Sequence, residues 1–255
     1  MSIIKLSFKD RTLLFAKLSS IAYYNTKKAT SQAKKLGFTT TEFYDRDGAQ
    51  AYRFMNKTDL VIACRGTQPN EFNDIKADLR AVPVMAETVG KVHLGFKQEV
   101  DDLWPRVCED INRKVNLKKH LWFCGHSLGA AMATIMASRC HLYKDIAPVE
   151  ELYTYGSPRV GWKKYCRSLG VTHRRWRNNN DIVTKVPFNI MGYAHDGKEY
   201  YITSKNRIGK PSIGDWWNGV WQGIKQGRFD SIGDHDIQAY YDNIDKALSD
   251  VPPHY

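Results

Sequence analysis

The sequence predicts an α/β fold in which a mainly parallel central sheet is covered by helices on both faces. Two observations predict it. Apolar runs of strand length alternate with segments of helical periodicity, which is typical of parallel sheets. One such run, Leu121–Cys124, leads into the turn Gly125–Gly129, and an alanine-rich helix follows, as in the strand–turn–helix element that presents a nucleophile.

Several segments carry the apolar spacing or the small-residue content of helices. Asp10 is the predicted N-cap of the first, and Gly37 is the predicted stop of the second. Pro105 lies inside the third and predicts a kink there. In chain order, the predicted helices are Asp10–Asn25, about Thr30–Leu36, Phe96–Val115, Leu128–Cys140, Gly161–Leu169 and Ile237–Leu248.

Shorter runs have the apolar or alternating character of strands. The sequence Asp45-Arg46-Asp47-Gly48 is a turn signal between the first two of them. Leu60–Cys64 is apolar throughout, as expected of a strand that is buried on both faces. In chain order, the predicted strands are Thr39–Tyr44, Gln50–Met55, Leu60–Cys64, Leu121–Cys124, Glu151–Tyr155, Thr172–Trp176 and Lys198–Thr203.

The composition fits one α/β domain over residues 1–255, since 42% of the residues are hydrophobic and 25% are charged. No run approaches the roughly 18 apolar residues of a membrane span. The apolar stretch Thr12–Ala16 is too short for the core of a secretory signal. The five cysteines are odd in number, and Cys64 and Cys124 fall in predicted strands. We therefore expect a cytoplasmic protein without disulfides, and signal-independent secretion is the alternative.

The formal net charge of +11 is spread along the chain in short basic clusters. This pattern fits dispersed solvated faces, and it would also be attracted to an anionic lipid surface. No nucleic-acid-binding module accompanies the charge, so nucleic acid is not a predicted partner.

Ser127 lies at the centre of the Gly125–Gly129 turn and is the predicted nucleophile. The turn requires glycine on either side of the serine because strand and helix approach closely there. The helix that begins after Ser127 points its N-terminal amides at the oxyanion that develops during attack on a carbonyl.

A serine nucleophile needs a base, and the base needs an orienting acid. In α/β hydrolases these residues follow the nucleophile in the order Ser, Asp, His. Asp181 follows a predicted strand and His235 precedes the last predicted helix, so both satisfy the order. His195 is the alternative base, because it also lies in a loop after Asp181. His126 adjoins the nucleophile, points elsewhere and is interpreted as structural support.

Further segments accompany these residues: Arg65-Gly66-Thr67, Val92–Phe96, Leu152–Gly161, Asn180–Val183, and Asp234-His235 with Tyr240. With them, the sequence resembles the class 3 lipases, the family of the fungal triacylglycerol lipases, over about residues 60–245. The resemblance implies the α/β-hydrolase fold and the triad Ser127, Asp181 and His235, and it gives His195 a structural role. It also implies an oxyanion hole formed by the backbone amide and hydroxyl of Thr67 and by the backbone amide of Leu128.

The resemblance further implies a cofactor-independent carboxylic ester hydrolase that cleaves acylglycerol esters. Residues 68–80 take the place of the family's interfacial lid, but they are mostly polar, so we expect weak activation by an oil interface. A helix around Trp216–Ile224 either packs on the core or contacts a lipid surface. The alternatives are a phospholipase A1, a short-chain carboxylesterase and, from another class, a non-catalytic lipid-binding module on a hydrolase scaffold.

Overall fold

The structure is a computed structural model that describes residues 2–66, 81–143, 146–210 and 233–249. The predicted oxyanion residue Thr67, the lid-like segment 68–80 and the tryptophan-bearing segment 216–224 lie outside the described residues. The extent of a single domain over residues 1–255 stays a prediction.

The strands are, in chain order, β1 Thr40–Arg46, β2 Ala49–Met55, β3 Asp59–Cys64, β4 Pro83–Met85, β5 Lys91–His93, β6 His120–His126, β7 Val149–Tyr155, β8 Gly161–Trp162, β9 His173–Asn178, β10 Tyr193–Ala194, β11 Lys198–Ile202 and β12 Ile208–Gly209. The main sheet has the order β1-β2-β3-β6-β7-β9-β11-β12. Strands β3, β6, β7, β9 and β11 pair in parallel, and antiparallel strands lie at both edges. The predicted mainly parallel sheet is confirmed.

The α-helices are, in chain order, α1 Phe8–Ile21, α2 Thr26–Lys35, α3 Leu94–Ile111, α4 Leu128–Arg139, α5 Lys163–Arg167 and α6 Ile237–Ser249. The predicted N-cap Asp10 is wrong: α1 begins earlier because the Ser7 side chain accepts a hydrogen bond from the Asp10 amide. Likewise, α2 begins at Thr26 because Asn25 caps it through the Lys28 amide. Helix α3 continues through Pro105, and α5 is shorter than predicted.

Two hydrophobic clusters cover the two faces of the main sheet. Helices α3 and α4 pack on one face, where Ile62 and Phe123 are fully buried. Helices α1, α2 and α6 pack on the other, where Val61 and Trp122 are buried. Successive residues of β3 and β6 thus point to opposite cores, which is why the runs Leu60–Cys64 and Leu121–Cys124 within them are continuously apolar. Among the described residues, no helix is both long and apolar enough to cross a membrane.

A second sheet with the order β10-β8-β5-β4 was not predicted. Its strands are only two or three residues long, which is too short for the alternation of side chains to reveal a strand. Part of the predicted helix Gly161–Leu169 belongs to this sheet, because Gly161 and Trp162 form β8.

Because β6, β7 and β9 run parallel, their carboxyl ends lie on the same side of the main sheet. Ser127 follows β6, Gly156 follows β7 and Asp181 lies just beyond β9. The carboxyl edge of a parallel sheet is where α/β proteins build their sites.

Candidate active site

Ser127 occupies a strained turn between β6 and α4. Its φ of 59° is in the left-handed region that side chains other than glycine rarely adopt. A Cβ atom on Gly125 would collide with the Gly129 carbonyl, and one on Gly129 would collide with the Cys64 carbonyl of β3. The two glycines are therefore required by the close approach of strand and helix, as the sequence predicted. The turn places the Ser127 hydroxyl at the carboxyl end of β6, the geometry of a nucleophile elbow.

The structure brings Ser127, His235 and Asp181 together in a buried series of hydrogen bonds. His235 Nε2 lies 2.8 Å from Ser127 Oγ. His235 Nδ1 lies 2.9 Å from Asp181 Oδ2. The two bonds join residues that are more than 50 positions apart in the sequence. An imidazole held between a hydroxyl and a carboxylate can accept the hydroxyl proton while the carboxylate stabilises the resulting cation.

Asp181 is fully buried, and three groups donate hydrogen bonds to its carboxylate. Besides His235, Tyr240 donates to Oδ2 at 2.6 Å and the Val183 amide donates to Oδ1 at 2.9 Å. Burial, and then the neighbouring Asp181 charge, raise the pKa of Tyr240 well above its usual range, so this hydroxyl remains a donor. These contacts hold the Asp181 carboxylate within hydrogen-bonding distance of His235.

Asp234, the neighbour of the candidate base, ties the two loops of the site together. Its carboxylate accepts hydrogen bonds from the Asn179 side chain at 3.0 Å and from the Asn180 amide at 3.1 Å. Its carbonyl accepts one from the Asn178 side chain at 3.0 Å. The loop that carries His235 is therefore attached to the loop that carries Asp181. Sequence reasoning missed these roles, although the run of three asparagines before Asp181 is a visible signal.

The remaining predicted residues fall in different places. Leu128 is the first residue of α4, so its backbone amide lies beside Ser127 at the helix N-terminus. The structure does not bring His195 to Ser127: its Nε2 bonds the Thr184 carbonyl at 2.7 Å. Burial lowers the pKa of His195 to about 2, so the ring is a neutral partner of that carbonyl.

Gly156 was part of a quoted motif, but sequence reasoning gave it no role. It follows β7 with a φ of 59°, and a Cβ atom there would lie 2.8 Å from both Asp181 Oδ2 and His235 Nδ1. The contact between acid and base therefore leaves no room for a side chain at this position.

We expect Gly156→Ala to lower kcat for ester hydrolysis by about 100-fold, because the added methyl must separate His235 from Asp181. Gly48→Ala is the matched control: Gly48 also has a positive φ, of 94°, but nothing lies within 4 Å of its Cβ position. Both variants carry the same kind of backbone strain, whereas only Gly156→Ala adds a clash with buried groups, so kcat is compared per folded enzyme. Equal kcat values for the two variants would contradict this role of Gly156.

Comparisons with known proteins identify the family of the chain. The sequence profile of the class 3 lipases matches residues 61–191, more than half of the 255-residue chain. The chain belongs to the class 3 lipase family. It is 32% identical to a lipase of Rhizomucor miehei over 189 residues, which cover 70% of this chain and 51% of that lipase.

A second relative is the secreted mono- and diacylglycerol lipase A of Penicillium cyclopium, 40% identical over 112 residues, which cover 40% of this chain and 36% of that lipase. The chain thus spans about half or less of these relatives' length. A solved structure of a mutant form of MDLA from Penicillium cyclopium superposes with a TM-score of 0.64 at 26% identity, covering 83% of this chain and 86% of that one. The predicted α/β-hydrolase fold is confirmed.

The predicted cytoplasmic localisation is wrong, because a relative in the same family is a secreted lipase. The cysteine argument failed for a physical reason. Cys64, Cys124, Cys140 and Cys166 are buried, and burial raises the pKa of Cys124 to about 12. A thiol that is buried and protonated does not react with oxidants, so it stays unpaired in either redox compartment. Unpaired cysteines therefore do not indicate a reducing environment here.

Proposed function

We propose that this class 3 lipase hydrolyses acylglycerol esters through a covalent acyl-enzyme on Ser127. The single observation that carries the proposal is the hydrogen-bonded series Ser127 Oγ, His235 Nε2, His235 Nδ1 and Asp181 Oδ2, with bonds of 2.8 and 2.9 Å. Ser127, the first member of this series, lies in the strained turn after β6, as expected of a nucleophile.

In the proposed reaction, His235 takes the proton of Ser127 while Oγ attacks the ester carbonyl. Asp181 keeps the imidazole oriented and stabilises the imidazolium. His235 then gives the proton to the leaving glyceryl oxygen, the carbon–oxygen bond breaks, and the acyl group remains on Ser127. A water molecule then loses a proton to His235 and attacks the acyl carbon. His235 returns this proton to Ser127 Oγ as the bond between Oγ and the acyl carbon breaks, which releases the fatty acid and regenerates the serine.

The oxyanion of both tetrahedral intermediates needs preorganised donors. The backbone amide of Leu128 is one proposed donor, because the N-terminus of α4 leaves that amide without a partner inside the helix. Thr67 is the other proposed donor by family resemblance, and it lies outside the described residues. One such donor contributes roughly 3 to 4 kcal/mol to the stability of the transition state.

The substrate class is proposed from the relatives, one of which is a mono- and diacylglycerol lipase. The net charge of +11 favours approach to anionic surfaces, so transient contact with a lipid surface is part of the proposal. The same charge makes phospholipid the second candidate substrate. Because the relative is secreted, we propose that the enzyme acts outside the cytoplasm.

The test is fatty-acid release from mono-, di- and triacylglycerols and from anionic phospholipid, each below and above its aggregation concentration. We expect acylglycerols to be turned over fastest, with no large rate increase on aggregation because residues 68–80 are mostly polar. Faster turnover of phospholipid would overturn the substrate class in favour of a phospholipase A1. Absence of turnover on every substrate, with no covalent labelling by a fluorophosphonate, would favour a non-catalytic lipid-binding module.

A further inference from the structure

His126, the last residue of β6, lies between the N-terminal part of the chain and the candidate base. It is 3% exposed. Its Nδ1 lies 2.8 Å from the Tyr23 hydroxyl, and its Nε2 lies 2.6 Å from the backbone carbonyl of His235. The ring thus joins the segment after α1 to the backbone of the residue that must accept the Ser127 proton.

The direction of each hydrogen bond in this series follows from the groups involved. The His235 carbonyl can only accept, so Nε2 of His126 carries a hydrogen. Burial, and then the nearby His235, lower the pKa of His126 well below its usual range, so the ring is neutral and its Nδ1 has a lone pair. The Tyr23 hydroxyl therefore donates to Nδ1, and its oxygen lies against Gly66, 2.5 Å from the position that a Cβ atom would take there.

His126 also touches the ring of the candidate base. The two imidazole ring centres lie 4.5 Å apart with an interplanar angle of 33°. The backbone of His235 is held through its carbonyl and one side of its ring is packed against His126. An imidazole that must align with Ser127 on one side and Asp181 on the other has little freedom to rotate under both restraints.

We propose that His126 is a positioning residue for His235, held in its Nε2–H tautomer by Tyr23. The proposal rests on the proposed function of Ser127 and His235. In this proposal the buried side chain of His126 acts through His235: it determines the position of the base and does not contact the substrate. Tyr23 also lies against Gly66, which directly precedes the predicted oxyanion residue Thr67, so the base and the oxyanion segment share a neighbour.

His126→Phe tests the proposal because phenylalanine keeps a flat ring against His235 but removes both hydrogen bonds. We expect kcat to fall by about 10- to 100-fold while KM stays unchanged, since the substrate contacts are intact and the base is misplaced. His126→Gln keeps a donor at the end of the side chain, and we expect it to recover most of the lost kcat. If His126 contributed only to stability, His126→Phe would lower the yield of folded enzyme but not its kcat, and His126→Gln would have no lost kcat to recover.

His173→Phe is the matched control. His173 is also a buried histidine with two side-chain partners, Thr154 at 2.7 Å and Asp196 at 3.1 Å. It lies at the start of β9, the end of that strand away from Asp181. We expect His173→Phe to lower the unfolding temperature and to leave kcat of the folded enzyme unchanged. An equal loss of kcat in both variants would overturn the positioning role.

Two further readouts separate this proposal from the proposed function. If Ser127 of the wild-type enzyme does not react with a fluorophosphonate, the proposed function itself is contradicted. If the wild type reacts, an unchanged labelling rate in His126→Phe would overturn the positioning role alone. Nitrogen-15 NMR of the wild-type protein should show neutral His126 with hydrogen on Nε2, and a hydrogen on Nδ1 would overturn the assigned tautomer whatever the activity.

Discussion

Replacing Ser127 by alanine is expected to lower kcat for hydrolysis of a chromogenic acyl ester by about 10⁵- to 10⁶-fold. The reason is that no other group on the described part of the site replaces the attacking oxygen: His235 Nε2 would face a methyl group instead of Oγ at 2.8 Å. The residual rate would come from substrate binding and the oxyanion donors alone.

Ser138→Ala provides the control for this change. Ser138 is a buried serine near the other end of α4, the helix that follows Ser127, and its hydroxyl bonds the Tyr165 hydroxyl at 2.8 Å. We expect Ser138→Ala to lower the free energy of unfolding by about 1 kcal/mol and to leave kcat unchanged. Retention of more than a hundredth of wild-type activity in folded Ser127→Ala would contradict the assignment of the nucleophile.

Replacing Asp181 by asparagine is expected to lower kcat by about 10⁴-fold. An asparagine of the same shape can present an amide N–H to His235 Nδ1, which would draw the ring hydrogen onto Nε2. That nitrogen would then donate to Ser127 and could not accept its proton. The loss should appear in kcat at saturating substrate and in the rate of labelling by a fluorophosphonate.

Asp196→Asn is the matched control, because Asp196 Oδ2 also faces a histidine, His173 Nδ1, at 3.1 Å. This second carboxylate–histidine pair lies outside the site. Asp196→Asn should therefore keep its kcat within about threefold of the wild type, because a carboxylate–histidine pair affects kcat only where the histidine contacts the nucleophile. A comparable loss in Asp196→Asn would show that the Asp181 effect is one of stability.

The parts of the fold that the sequence predicted are those governed by local rules. Strands β3 and β6 are buried on both faces, and so they contain the continuous apolar runs Leu60–Cys64 and Leu121–Cys124. The elbow was visible because Gly125 and Gly129 are dictated by contacts within a few residues and by the neighbouring strand. The order of Ser127, Asp181 and His235 is a property of the chain itself, so it needed no coordinates.

The parts that were missed depend on contacts between distant segments. The second sheet consists of strands too short to show a pattern. The shape of the site around Gly156 exists only when the loops that carry Asp181 and His235 meet the end of β7. His126 was interpreted as structural support beside the nucleophile. Its bond to the His235 carbonyl spans 109 positions, and no spacing rule predicts a contact of that kind.

The most direct test of the central claim is the location of the covalent adduct after inactivation by a fluorophosphonate. The acyl-enzyme account predicts one adduct per chain, on Ser127, with activity lost in proportion to labelling and with no labelling of Ser127→Ala. Complete inactivation with the adduct on another residue, or full ester hydrolysis by enzyme fully labelled at Ser127, would contradict it.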